Sequence, residues 1–173
     1  LYKLFSGLPG PLPMPILIAQ HIAEGFDDGL VKWLSSHTPM SVKIAEHGEA
    51  PLPGGIYFSP STSHLTVATN QTLSLQQREP TDIFAPSGNR LLASIGKIYG
   101  KSAKGVVLTG MGNDGAKGIR EIKNAGGETI AQDETSSVIF GMPKAAIESG
   151  HIDRVMSIED IAKWLQDFTT GRG

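Results

Sequence analysis

Short apolar runs bounded by turn residues alternate with helical stripes along the 173-residue chain. Residues 16–19 (Ile-Leu-Ile-Ala) and 105–109 (Gly-Val-Val-Leu-Thr) are the clearest runs, and residues 128–132 and 155–156 form two more. Such runs are typical of strands that are covered on both faces of a parallel sheet. The alternation predicts an α/β fold in which a doubly wound, mostly parallel sheet is flanked by helices.

Apolar spacing also places the helices and one hairpin. Stripes with helical spacing predict helices over 1–8, 26–34, 91–98, 116–125, 145–147 and 158–168. Residues 41–75 alternate like strands, at 42–44, 56–58, 65–67 and 73–75, with turns at 53–55 and 70–71. We therefore expect a small antiparallel hairpin beside the sheet. Trp33 and Trp164 lie on helix stripes and are predicted to be core residues.

Composition excludes several classes of function. The chain has no cysteine, so it has no disulfide, zinc–thiolate site or cysteine nucleophile. Its net charge of −2 argues against a broad nucleic-acid interface. No apolar run approaches the ~18 residues of a membrane span, and no signal peptide is visible, so we expect no membrane insertion and a cytoplasmic setting. The histidines show no metal-ligand spacing, which predicts no metal site.

Two strand ends carry residues that are capable of chemistry. His21 follows the first strand, and Asp114 lies in the glycine-rich turn after the run 105–109. Sites in open α/β sheets lie beyond the carboxyl ends of strands, so the two side chains can meet, with Asp114 orienting an imidazole that acts as general base. Simpler interpretations stay open, because a lone His is often a surface residue and an Asp before a helix is usually its N-cap.

The same turn supports an alternative function. Residues 110–115 match G-x-G-x-x-G between a strand and a helix, and Asp133 follows 18 residues after Gly115. This spacing imitates a dinucleotide-binding fingerprint. Asp114 argues against that function, because its carboxylate would stand where a pyrophosphate binds at the helix N-terminus.

Several longer runs carry a family resemblance. Residues 108–116 (Leu-Thr-Gly-Met-Gly-Asn-Asp-Gly-Ala) resemble the signature of the chemotaxis receptor protein-glutamate methylesterases of the CheB type. Residues 131–134 (Ala-Gln-Asp-Glu) and 138–146 (Val-Ile-Phe-Gly-Met-Pro-Lys-Ala-Ala) are similar to the next two signatures. Gln20-His21 fits the earlier part of the family pattern, and the similarity runs from Leu1 to Trp164.

The resemblance implies a carboxylic ester hydrolase without a cofactor. Family members hydrolyse glutamate γ-methyl esters on the cytoplasmic helices of chemoreceptors, releasing methanol, and many also deamidate receptor glutamines. They use a Ser-His-Asp triad, in which His21 would be the general base and Asp114 its orienting partner. Met111 and Gly112 resemble the part of the motif whose backbone holds the oxyanion. The implied partners are methylated receptor helices and a phosphorylated receiver domain; a non-catalytic domain that docks on receptors is the remaining alternative.

The chain departs from the family at the nucleophile. The family serine lies in a Gly-Ala-Ser-Thr-Gly-Gly turn after the first strand, and residues 1–173 contain neither such a turn nor a G-x-S-x-G elbow. We therefore expect residues 1–173 to be a methylesterase catalytic domain that lacks its first strand and nucleophile turn and carries no receiver domain. Asn89 stands where relatives usually carry Asp, and no role is assigned to it. The serines considered as substitutes lack a strand–turn–helix context: Ser6, Ser87, Ser136 and Ser137.

Overall fold

The computed structural model describes residues 1–171 and confirms the α/β architecture. Six strands form two three-stranded parallel sheets, and a separate antiparallel pair forms the expected hairpin. The helices are α1 (Tyr2–Phe5), α2 (Asp27–Ser35), α3 (Gly88–Tyr99), α4 (Ala116–Asn124), α5 (Met142–Glu148) and α6 (Ile158–Thr169). The strands are β1 (Ile16–Ile18), β2 (Ser41–Ile44), β3 (Gly55–Phe58), β4 (Ser63–Val67), β5 (Leu73–Gln77), β6 (Lys104–Val107), β7 (Glu128–Gln132) and β8 (Arg154–Met156).

Alternate residues of the parallel strands serve two cores. Ile56 and Phe58 of β3 pack in a cluster with helices α1, α2 and α6, whereas Tyr57 between them packs against α3 and the hairpin. A third cluster joins Val107 of β6 to Ile119 of α4 and to α5. Because side chains alternate with period 2 along a strand, both faces of the sheets need apolar residues, which explains the continuous apolar runs. Helices therefore cover both faces, as a doubly wound fold requires.

The two parallel sheets do not pair with each other. One has the order β1–β3–β2 and the other β6–β7–β8, so β1 and β6 are the strands that face each other across the gap. Between them lies a cavity of 410 Å³, which we name the β1–β6 slot. Its walls include β1 residues Ile16–Ile18, β6 residues Val106 and Val107, and side chains of α1, α3 and α6.

One of the two tryptophans expected in the core, Trp33, lies at the surface instead. Trp33 is 47% exposed and Phe26 is 66% exposed, and only Leu34 of helix α2 is fully buried. Trp33 packs on the rings of Tyr2 and His37 at the surface instead. The 3.6-residue period locates the apolar face of a helix but not the edge at which that face leaves the core. Trp164 of α6 is partly buried against the first core, closer to the expectation. Within residues 1–171, no helix is long and apolar enough to cross a membrane.

Candidate active site

His21 and Asp114 meet at the carboxyl ends of β1 and β6. The Nε2 atom of His21 lies 2.8 Å from Oδ2 of Asp114, although 93 residues separate the two in sequence. The Asp114 side chain is fully buried, while the His21 side chain is 31% exposed. The structure therefore places an accessible imidazole against a buried carboxylate, and the roles of general base and orienting partner stay a prediction that this contact allows.

Asp114 caps a helix, but not the one that follows it. Helix α4 begins after Gly115, whose left-handed φ of +95° suits a glycine, and Gly115 takes the N-cap position itself. The carboxylate of Asp114 accepts the N–H groups of Gly88 (2.6 Å) and Asn89 (3.0 Å) in the first turn of α3, and the Ser87 hydroxyl at 3.2 Å. The expectation that Asp114 is the N-cap of α4 is therefore wrong; its side chain instead accepts N–H groups at the start of α3, whose own N-cap residue is Ser87.

These donors keep the Asp114 carboxyl group ionised. Burial acts to raise the pKa of Asp114, but hydrogen bonds from His21 and from the Asn89 and Gly88 N–H groups outweigh it, so the pKa lies below its usual range. The positive end of helix α3 favours the same anionic form. A carboxylate only accepts hydrogen bonds, so Nε2 of His21 carries the proton that it shares with Asp114. Nδ1 of His21 then holds the free lone pair, and within residues 1–171 it has no hydrogen-bond partner.

Phe84 was not anticipated from the sequence. Its ring stacks on His21, with centroids 5.3 Å apart and planes within 3°. The same ring lies against Gly112, where a Cβ would come within 3.3 Å of it. Phe84 lies in an irregular loop, so no periodicity marked it. It limits the orientations that the His21 ring can adopt.

The turn that contains Met111 and Gly112 is open at its backbone. Within residues 1–171, neither Met111 nor Gly112 donates its N–H to another group. Gly112 has a φ of +91°, and the turn is fixed from behind by Gly141 and Met142, whose N–H groups both donate to the carbonyl of Gly110. Free, fixed N–H groups are what an oxyanion site needs, so that role for Met111 and Gly112 stays a prediction that the geometry allows.

Asn89 has a clear structural role. Its Oδ1 accepts the N–H groups of Gly115 (3.0 Å) and Gly118 (2.9 Å), at the start of helix α4. Helices α3 and α4 therefore cap each other, with Asp114 serving α3 and Asn89 serving α4. The N–H groups of Gly115 and Gly118 at the start of α4 are thus already bonded, which leaves fewer donors for a dinucleotide pyrophosphate and argues against the dinucleotide alternative.

Two further expectations concern Asp133 and the serines. The Asp133 carboxylate accepts the N–H and hydroxyl of Ser136 and the hydroxyl of Thr135, so its oxygens are already bonded within its own loop. Ser87 is the N-cap of α3 and its hydroxyl donates to Asp114, so it is a supporting residue and not a nucleophile. A Ser directly before an apolar helical stripe is a helix-start signal, and that signal could have found Ser87.

Comparison with known proteins gives one consistent result. A family model described as CheB methylesterase matches residues 1–165. The chain is 40% identical over 173 residues to protein-glutamate methylesterase/protein-glutamine glutaminase 4 of Myxococcus xanthus, covering 100% of this chain and 49% of that protein. It is 44% identical over 161 residues to protein-glutamate methylesterase FrzG of Myxococcus xanthus, covering 93% and 48%. The chain thus spans about half the length of the curated relatives it matches.

A solved structure agrees with the fold. The crystal structure of the Thermotoga maritima CheB methylesterase catalytic domain superposes with a TM-score of 0.90 at 36% sequence identity. The match covers 96% of this chain and 89% of that one.

Proposed function

Because the chain belongs to the CheB methylesterase family, we propose that it supplies the general base and orienting carboxylate of a protein-glutamate methylesterase. The observation that carries the proposal is the 2.8 Å contact between His21 and a buried Asp114 that is saturated with N–H and O–H donors. Such an acid stays anionic and holds one tautomer of the imidazole. The same site would accept a glutamine side chain, since acyl transfer from an amide follows the same steps.

The proposed reaction is a two-step acyl transfer. Nδ1 of His21 removes the proton of a hydroxyl nucleophile as its oxygen bonds to the ester carbonyl, and the N–H groups of Met111 and Gly112 hold the resulting oxyanion. The imidazolium then gives this proton to the departing methoxide, so methanol leaves and an acyl-enzyme remains. Water, deprotonated by the same nitrogen, attacks the acyl group and releases the glutamate and the free hydroxyl.

We place the nucleophile at the mouth of the β1–β6 slot. Both sheets that border the slot are parallel, and the walls along β1 and β6 are apolar. A further parallel strand in the slot would join the two sheets and point its carboxyl end between His21 and the turn 110–115. This supports the expectation that a strand and nucleophile turn outside residues 1–173 complete the catalytic domain. Matched relatives about twice as long as the chain have room for such a strand and for a regulatory domain.

Exposed apolar side chains beside the site suit a protein substrate. Met111 is 74% exposed, Ile83 86% and Val138 90%. Ile83 directly precedes Phe84, whose ring stacks on His21, and Val138 directly precedes Ile139, whose carbonyl accepts the N–H of Gly110. Large exposed apolar groups next to a site are typical of contact with another protein. We propose that methylated chemoreceptor helices in the cytoplasm are that partner.

The test is methanol release from methylated receptor fragments by the complete protein as its gene encodes it. We expect His21→Ala to lower kcat by about 10⁶-fold and Asp114→Ala by about 10⁴-fold, as in other triads. His37→Ala is the matched control, because within residues 1–171 the ring of this exposed histidine hydrogen-bonds only to Ser36 and Trp33. Full activity in His21→Ala would refute the proposal, as would a gene with no serine in a strand–turn–helix context before Leu1.

A further inference from the structure

His64 is a fully buried histidine outside the pair described above. It lies on strand β4 of the hairpin, and both of its ring nitrogens are occupied. Nε2 is 2.8 Å from Oδ2 of Asp82, and Nδ1 is 3.1 Å from the backbone nitrogen of Ser87. A buried polar ring with two fixed partners couples the segments that hold those partners.

The partners determine which nitrogen of His64 carries the proton. The N–H of Ser87 can only donate, so Nδ1 of His64 accepts and Nε2 donates to Asp82. Asp82 is anchored in turn, because it accepts the N–H of Glu79 and a hydrogen bond from Arg90 at 2.6 Å. Hydrogen bonds from Glu79 and His64 lower the pKa of Asp82 to about 2. The ring is therefore held in one orientation and one tautomer.

Ser87 connects this ring to the candidate active site. It is the N-cap residue of helix α3, and the next two N–H groups, of Gly88 and Asn89, both donate to Asp114. Where the backbone of Ser87 lies therefore sets the position of three donors to Asp114, namely the Ser87 hydroxyl and the N–H groups of Gly88 and Asn89. No other side chain accepts the N–H of Ser87 within residues 1–171.

We propose that His64 is a positioning residue for the active site, which holds the first turn of helix α3 so that its donors meet Asp114. The chain of contacts runs from Asp82 through His64 and Ser87 to Asp114, and from there to His21. Within residues 1–171, the His64 ring makes no hydrogen bond to His21 or to the turn 110–115, so its effect on the site passes through Ser87 to Asp114. The inference rests on the proposed function only in calling Asp114 the orienting acid.

A matched pair of substitutions separates the two contacts of the ring. The Oδ1 atom of an asparagine reaches the place of Nδ1, so His64→Asn keeps an acceptor for Ser87. The side-chain amide of a glutamine reaches the place of Nε2, so His64→Gln keeps the donor to Asp82 and leaves the Ser87 N–H without an acceptor. Both substitutions remove the ring, so a purely structural role predicts similar losses for the two.

The measurements are kcat and KM of the complete protein and the ¹³C titration of the Asp114 carboxyl group. We expect His64→Gln to lower kcat by about 10- to 100-fold with KM unchanged, since displacements of about 1 Å cost that much in a positioned site. The Asp114 titration midpoint should rise, because hydrogen bonds to the anion are lost. His64→Asn should stay within about 3-fold of the parent, which corresponds to ~0.6 kcal/mol.

Either of two results in the His64 variants would overturn the inference. Equal losses in the two His64 variants, or an unchanged Asp114 midpoint in His64→Gln, would show that His64 has only a structural role. If His64→Gln does not fold, Ser87→Pro, which lacks the N–H that His64 accepts, is compared with Ser87→Ala, which keeps it, and equal Asp114 midpoints in the two would also overturn the inference. The titration does not depend on esterase activity, whereas a failure of the proposed function would appear as full activity in His21→Ala.

Discussion

Asp114→Asn is the substitution that most directly probes the two capped helices. Oδ2 accepts from Gly88 and His21, and Oδ1 accepts from Asn89, Ser87 and Gly115. The asparagine amide has only one oxygen, and it meets the most donors when it takes the position of Oδ1. The NH₂ group then takes the position of Oδ2 and faces the N–H of Gly88. An unsatisfied buried donor costs about 1–3 kcal/mol, and the remaining bonds weaken when the acceptor loses its charge. We expect a total loss of about 3–5 kcal/mol in the free energy of unfolding.

Urea unfolding followed by circular dichroism measures this loss through the midpoint and slope. Because the pKa of Asp114 is lowered in the folded state, its stabilisation is complete above the unfolded value of about 3.9 and is lost as the pH falls through the folded pKa. The difference between parent and variant should therefore be constant near neutral pH and shrink in acid. A difference that grows in acid would contradict the assignment.

Asp133→Asn is the control for this substitution. Asp133 also has a lowered pKa, from the Ser136 side-chain and backbone hydrogen bonds and from Thr135, but its bonds lie within one partly exposed loop. We expect a clearly smaller loss of stability there, since solvent replaces exposed hydrogen bonds. The reasoning fails if the two variants lose similar stability, because burial of Asp114 is what separates them.

Three further predictions concern helices α2, α3 and α4. Asn89→Ala should lower the unfolding free energy by about 1–2 kcal/mol, because the N–H groups of Gly115 and Gly118 lose their acceptor, and urea midpoints would detect it. Gly118→Ala should cost about 1–3 kcal/mol or more, since its Cβ would lie 2.6 Å from Cβ of Leu92 where α3 and α4 cross. In Gly29→Ala of α2 the new Cβ meets nothing within 4 Å, so this substitution should raise stability by about 0.5–1 kcal/mol. Thermal unfolding of Gly118→Ala and Gly29→Ala measures both effects, and equal changes of Tm in the two variants would refute the packing argument.

Local patterns in the sequence predicted most of the fold. The apolar runs that became β1 and β6, the helical stripe of α3 and the hairpin β4–β5 are each contained in fewer than 20 residues, within which side-chain period and turn chemistry decide the outcome. His21 and Asp114 could be chosen because both lie just beyond strand ends, where a parallel sheet collects its functional groups. The family signature around Asp114 added a role that spacing alone does not supply.

The sequence therefore determined the strands, the helices and the two residues of the candidate pair. Tertiary structure alone decided that Asp114 caps α3 and not α4, that Phe84 stacks on His21, and that His64 reaches Ser87. The physical reason is the range of the contacts: two helix N-termini must first dock before each can cap the other. Those partners lie 18 to 93 residues apart or in an irregular loop, so no local period or propensity encodes them.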